Sequence, residues 1–229
     1  MNTQRFIVAS MIVGLLGAAP VTFAKNPNPG VIPPQARAHG MTYGEWSAKW
    51  WQWAVSLPLN HNPLADTADC STGQLGSVWF LGGSFVSTAA ERDCTVPPGK
   101  ALFFPLVNTE CSTLEPDPFH GDNEAELRSC VAKFHFRNVS AEIDGVAVQD
   151  LNGYLKDSPL FTFTVPPNNV LGVDAGTGQS VSNGYWLMLA PLSVGEHTIH
   201  FGGNILMDEA EPGFTLDITY NLTVEPGKP

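Results

Sequence analysis

The chain is 229 residues long, carries a formal net charge of −11 and has only 14% charged residues against 22 glycines and 19 prolines. So acidic a chain argues against nucleic acid or anionic lipid as a partner, because both would be repelled. Few charges and many turn-formers point to a turn-rich β protein rather than a helical one.

The first 24 residues combine Arg5, an apolar run over 6–21 and the small residues Thr22-Phe23-Ala24. That pattern predicts a secretory signal cleaved near Ala24, hence a secreted or periplasmic product. The run is too short for a good membrane span, and no second stretch approaches that length. Residues 25–37, KNPNPGVIPPQAR, suit an extended tether. Residues 38–229 remain, enough for one domain with a real core.

Residues 42–58, TYGEWSAKWWQWAVSLP, hold Trp46, Trp50, Trp51 and Trp53, four of the chain's six tryptophans. Thr42 and Glu45 form a capping box for a helix, and Pro58 predicts its end at Leu57. Trp46, Trp50, Trp53 and Leu57 fall on one stripe, as burial against a sheet requires. Trp51 lies off that stripe and is a candidate ligand contact, the alternative being a rim residue with its indole N–H satisfied. The following loop brings Asn60, His61, Asp66 and Asp69 next to indole rings in sequence, the mixture found where carbohydrates bind. Trp51, Asn60, His61 and Trp79 are therefore the candidate ligand-binding residues, although Trp79 also suits a core position.

GSVWFLGGSF (76–85) is apolar on both alternating faces, as in a central strand. Its Gly82-Gly83 suggests a bulge or a close backbone approach. ALFFPLV (101–107) is the next strand, with Pro105 placing it at an edge or a bulge. Arg92 and Lys100 are rare cations in this chain and are expected in internal salt bridges. Four cysteines in an exported chain read as two disulfides with three possible connectivities. Local pairing, Cys70–Cys94 and Cys111–Cys130, closes loops of roughly twenty residues, each contributing about 3 kcal/mol in the chain-entropy model. No CxxC spacing supports a metal site.

Glu110, Glu115 and Asp117 precede Phe119-His120-Gly121-Asp122. Such a loop would hold calcium through carboxylates and carbonyls. It would equally pair a histidine with a carboxylate for acid–base work, the candidates being His120, His61, Glu110 and Asp122. No motif calls for a cofactor, calcium included, and the alternative reading is a solvated loop that caps the second helix. Residues 122–134 read as a second helix capped by Asp122. VSAEIDGVAV is a hairpin turning at Asp144-Gly145, LFTFTVP a strand, and 167–184 a glycine- and asparagine-rich loop. YWLMLAPL and EHTIHFGG are strands. On the latter, His197 and His200 point to opposite faces, so they cannot share one ion. FTLDITYNLTV (214–224) alternates throughout. Together these predict a mostly β, single-domain β-sandwich, jelly-roll or immunoglobulin-like, with an aromatic N-terminal helix and a second short helix.

YGEWSAKWWQWAVSLP, VWFLGG, CTVPPGKALFFPLVN and GYWLMLAPLSVGEHTIHFGG resemble segments of a family of secreted bacterial proteins. That family has no assigned activity or site, so the resemblance implies export and a β-rich domain and no chemistry. The resulting expectation is an exported, non-enzymatic binding module for a glycan, an envelope component or a small amphipathic ligand. The alternatives are a secreted hydrolase or lyase using a histidine–carboxylate pair, and a structural surface protein.

Overall fold

The computed structural model describes residue 28 and residues 30–64, 69–208 and 213–227. The expected signal at 1–24 and Asp66 lie outside the described residues. Helix α1 spans Tyr43–Val55 with both bonds of the capping box in place: the Thr42 hydroxyl accepts from the Glu45 amide at 3.2 Å, and the Thr42 amide donates to the Glu45 carboxylate at 2.7 Å. Ser56 caps its C-terminus, two residues before Pro58. Removing the cap by Thr42→Ala is expected to cost about 1 kcal/mol, read as a lower urea midpoint with an unchanged slope.

Among the described residues ten strands follow: β1 Val78–Phe80, β2 Ala90–Val96, β3 Ala101–Ser112, β4 Phe134–Ile143, β5 Val146–Ala147, β6 Leu155–Asp157, β7 Phe161–Val165, β8 Gly176–Leu189, β9 Gly195–Met207 and β10 Phe214–Val224. Helix α2, Glu124–Val131, lies between β3 and β4. One sheet runs β1-β3-β8-β6 with β7 also on β8, and the other runs β2-β10-β9-β4-β5. The chain is thus a β-sandwich with an N-terminal helix, as its composition implies. It is mixed, because β1 joins β3 and β2 joins β10 in parallel.

Strand β3 is apolar on both faces because each face has a different cover. Phe103 stacks on Trp186 at 5.3 Å, and Trp50 of α1 meets Trp186 at 5.4 Å. Phe104, next in sequence and so on the opposite face, meets Phe201 of β9 at 5.0 Å in the core between the sheets. The strand's proline is accommodated by a register shift between Pro105 and Val107. β10 buries Leu216, Ile218, Tyr220, Leu222 and Val224 along its inward face. Both disulfides form with the local connectivity, Cys70–Cys94 tying the loop after α1 to β2 and Cys111–Cys130 tying β3 to α2.

Several expectations are corrected. β1 lies at a sheet edge, paired with β3 alone, although Val78 and Trp79 are buried. β2 is unexpected, because its inward position 92 holds an arginine. β8 begins at Gly176, so much of the expected loop is strand: Gly178 and Gly184 sit where any side chain would collide with Leu114 and Asn108. The cap of α2 is Asn123, whose side chain accepts from the Glu126 amide, and Phe134 already belongs to β4. The tether expected over 25–37 is docked in its described part, since Val31 is buried and the Ile32 amide donates to the Met188 carbonyl at 2.8 Å.

Candidate functional site

At one end of the sandwich, where β3 gives way to the loop before α2, a cleft of about 420 Å³ opens between the sheets and α1. Its walls are mostly apolar: Trp50 and Trp51 from α1, Ile205 from β9, Leu216 from β10, and Val170 and Leu171 from the loop after β7. Phe85 and Phe119 also line it and are themselves half to a third exposed. Such a volume and lining belong to small-molecule sites.

Polar groups enter from β3 and its following loop. Glu110 is buried, with its carboxylate accepting from the Ser180 hydroxyl and its side chain hydrogen-bonded to that of Glu115. Burial, then the hydrogen bond and charge of Glu115, push the Glu110 carboxyl well above the usual carboxylate range, against an opposing pull from Ser180. Glu115 accepts from the Ser112 hydroxyl at 2.8 Å. The Trp51 indole N–H and the Asn108 amide nitrogen, on two further lining residues, are buried without a hydrogen-bond partner. Buried donors of this kind are rare in folded proteins.

The cleft wall is fixed from behind by Arg92. Its Nη1 is within hydrogen-bond distance of the Pro63, Gly82 and Gly83 carbonyls at 3.2, 3.3 and 2.9 Å and of the Tyr220 hydroxyl at 2.9 Å. Its guanidinium also lies over the Tyr220 ring, 5.6 Å from the centroid. The glycine pair allows this knot, since a side chain at 82 would strike the Pro63 carbonyl. Gly83 and Leu64, on the two loops so joined, both line the cleft. The arginine is thus embedded among backbone carbonyls and the Tyr220 hydroxyl.

Of the four candidate ligand-binding residues, Trp51 alone lines this cleft. It is 5% exposed and meets Trp50 edge-on at 5.2 Å, so it is a wall rather than a rim. Asn60 and His61 are exposed on a 3-10 turn, Leu59–His61, and do not line it. Their neighbour Asn62 is fully buried and donates to the Ala54 and Leu57 carbonyls, ending α1. Trp79 lines a separate depression with Asp69, Asp93 and Glu225.

Among the candidate acids and bases, Glu110 lies in the cleft. His120 meets Asp122 at 3.1 Å and the Glu115 carbonyl at 2.7 Å. These bonds, that to Asp122 first, raise the imidazole above its ordinary value. The Asp122 side chain is 84% exposed, and neither partner lines the cleft. Among the described residues, no three His, Cys, Asp or Glu side chains converge as a metal would require.

A second histidine cluster has the outline of a catalytic triad: His197 Nδ1 lies 2.7 Å from Asp144, and Nε2 lies 3.3 Å from the Ser193 hydroxyl. Nε2 is closer to the Ser193 carbonyl, at 3.0 Å, which can only accept. Burial lowers His197, but the bonds to Asp144 and that carbonyl outweigh it and hold the ring above its ordinary value. An imidazolium donating from both nitrogens is a clasp between two turns, not a general base. His197 faces partly inward, as expected, and His200 faces out to Asp217 at 2.8 Å.

Reading from sequence misses Glu115 as the partner of Glu110, and Asn108 as a wall. The available signal is a carboxylate ending the apolar run of β3, which needs a partner if it is to be buried.

No family model matches the chain, and no curated protein matches it. Among solved structures it has some similarity to PbICP-C in complex with falcipain-2, at 10% identity and a TM-score of 0.26, covering 66% of this chain and 100% of that one. It has similarity also to EhICP2, a cysteine protease inhibitor from Entamoeba histolytica, at 13% identity and a TM-score of 0.21, covering 61% of this chain and 88% of that one. Scores of this size fall below a shared fold, and nothing about this chain's partners follows from them.

Proposed function

We propose that this is an exported binding module for a small amphipathic ligand, held in the cleft between α1 and the two sheets. The single observation that carries the reading is the cleft's make-up: aromatic and aliphatic walls around one carboxyl pair and two unpartnered buried donors. A ligand with a large apolar body and a small polar group would cover the walls and supply the missing partners. A glycan, whose hydroxyls need many polar contacts, suits these walls less well. Two intrachain disulfides and the signal-like first 24 residues support export to an oxidising compartment, in keeping with the resemblance to secreted bacterial proteins.

The hydrolase or lyase alternative loses support because its histidine–carboxylate pair, His120 and Asp122, stands at the surface rather than in an apolar cleft. Self-assembly through a sheet edge is disfavoured by the exposed Glu91 and Asp93 on edge strand β2.

The neutral dye Nile red provides the test. Saturable binding to one site with blue-shifted emission is expected. Phe85→Ala, at the half-exposed mouth, is expected to weaken it about fivefold to tenfold without lowering the melting temperature. Absence of saturable binding to the folded protein would sink the reading.

A further inference from the structure

We infer that the cleft selects a cationic amphiphile, with an ammonium head on the Glu110–Glu115 pair and an apolar body along the aromatic walls. The inference rests on the reading of the cleft as a binding site and adds the charge of its occupant.

Three observations carry it. Both ionisable side chains that line the cleft are acids; among the described residues no Lys, Arg or His joins them. The two carboxyls are hydrogen-bonded to each other and to hydroxyls, Glu110 to Ser180 and Glu115 to Ser112, so these partners are acids and hydroxyls with no cation among them. A carboxyl pair in apolar surroundings with no counter-cation is costly, and a bound cation relieves that cost.

The third observation is the wall. Trp50, Trp51, Phe119 and Phe134 border the same space, and indole and phenyl faces attract ammonium groups as well as alkyl chains. A carboxylate head could accept from the Trp51 and Asn108 donors but would meet two acids and no cation, so fatty acids and anionic detergents are disfavoured on charge. A neutral alcohol would fill the walls and leave the pair without its counter-charge. The chain's net charge of −11 acts in the same direction at long range, drawing cations and repelling anions.

Decylamine, decan-1-ol and decanoate share one alkyl body and differ in the head. Each is titrated below its aggregation limit against the signal-free, disulfide-intact protein with displacement of Nile red as the readout. Decylamine is expected to bind about tenfold or more tightly than decanol, with decanoate weakest, the difference an ionic hydrogen bond makes over a neutral one. In Glu115→Gln, with its melting curve recorded to establish folding, the amine-to-alcohol ratio is expected to fall towards one. If decanol or decanoate matches decylamine in the wild type, or if Glu115→Gln keeps the amine preference, the inference is overturned while the cleft remains a binding site. If the dye binds but none of the three displaces it, the inference falls and the binding-site reading stands on the dye; if the dye itself does not bind, the binding-site reading falls with it.

Discussion

Arg92→Met is expected to destabilise the fold by about 3–5 kcal/mol, the range seen when one partner of a buried charged network is removed. The loss comes from what remains behind. The carbonyls of Pro63, Gly82 and Gly83 and the Tyr220 hydroxyl all face the guanidinium. A thioether offers them no donor. Arg92 is 8% exposed, so water reaches the site poorly. Arg92→Lys is expected to recover less than half of the loss, because one compact ammonium cannot reproduce the planar fork or its stacking on Tyr220. Urea unfolding of the three proteins measures this directly. A loss below about 1 kcal/mol for Arg92→Met would mean that the carbonyls find other partners. Because Leu64 and Gly83 belong to the two loops joined by the knot, the same variant is expected to weaken Nile red binding.

The second large effect is on pH dependence. Glu110 has its carboxyl raised well above 4.5 by burial and by Glu115. Below the unfolded value both states hold the proton, and the contribution to stability is fully present. As pH rises past that value, the unfolded chain releases a proton that the folded chain keeps. Stability then falls by about 1.4 kcal/mol per pH unit until the folded carboxyl also ionises. Glutamine imitates the protonated acid and cannot ionise, so Glu110→Gln removes this slope. From about pH 4.5 upward the variant is therefore expected to gain progressively on the wild type as pH rises. Other shifted groups, His197 and Asp144 among them, are common to both proteins and cancel in the difference. A wild-type-minus-variant difference that stays flat with pH would mean that Glu110 is ionised in the folded state.

Elements whose determinants are local were legible in the sequence. The capping box of α1 needs Thr42 and Glu45 three residues apart, and both bonds form. The alternation of β10 reports one buried face. Asp144 and Gly145, both at positive φ, make the hairpin turn that their types favour. What was not legible depends on contacts distant in sequence. Position 92 reads only as a rare cation until Tyr220 and the 63 and 82–83 carbonyls are brought around it. Ser180 and Ser182 read as loop residues, yet both are buried, Ser180 with its hydroxyl donating to Glu110 and Ser182 with its amide donating to the Ser158 hydroxyl. Trp51 lies off the apolar stripe of α1, and burial of that side requires the cleft wall, which no helical periodicity encodes. The candidate site follows the same division: Glu110 and Trp51 stand out as residue types, while their meeting in one cleft is a property of the tertiary fold.

The tryptophan cluster also makes the protein its own optical instrument. Trp50 lies 5.2 Å from Trp51, 5.4 Å from Trp186 and 5.9 Å from Trp53, in edge-on geometries. At such separations the ring transitions couple, giving an exciton band in the far-ultraviolet circular dichroism that depends on mutual ring angles. Excitation absorbed by any of these indoles migrates among them before emission. Because Trp51 is both a member of that array and a wall of the cleft, an occupant in contact with one ring alters the light emitted by all of them.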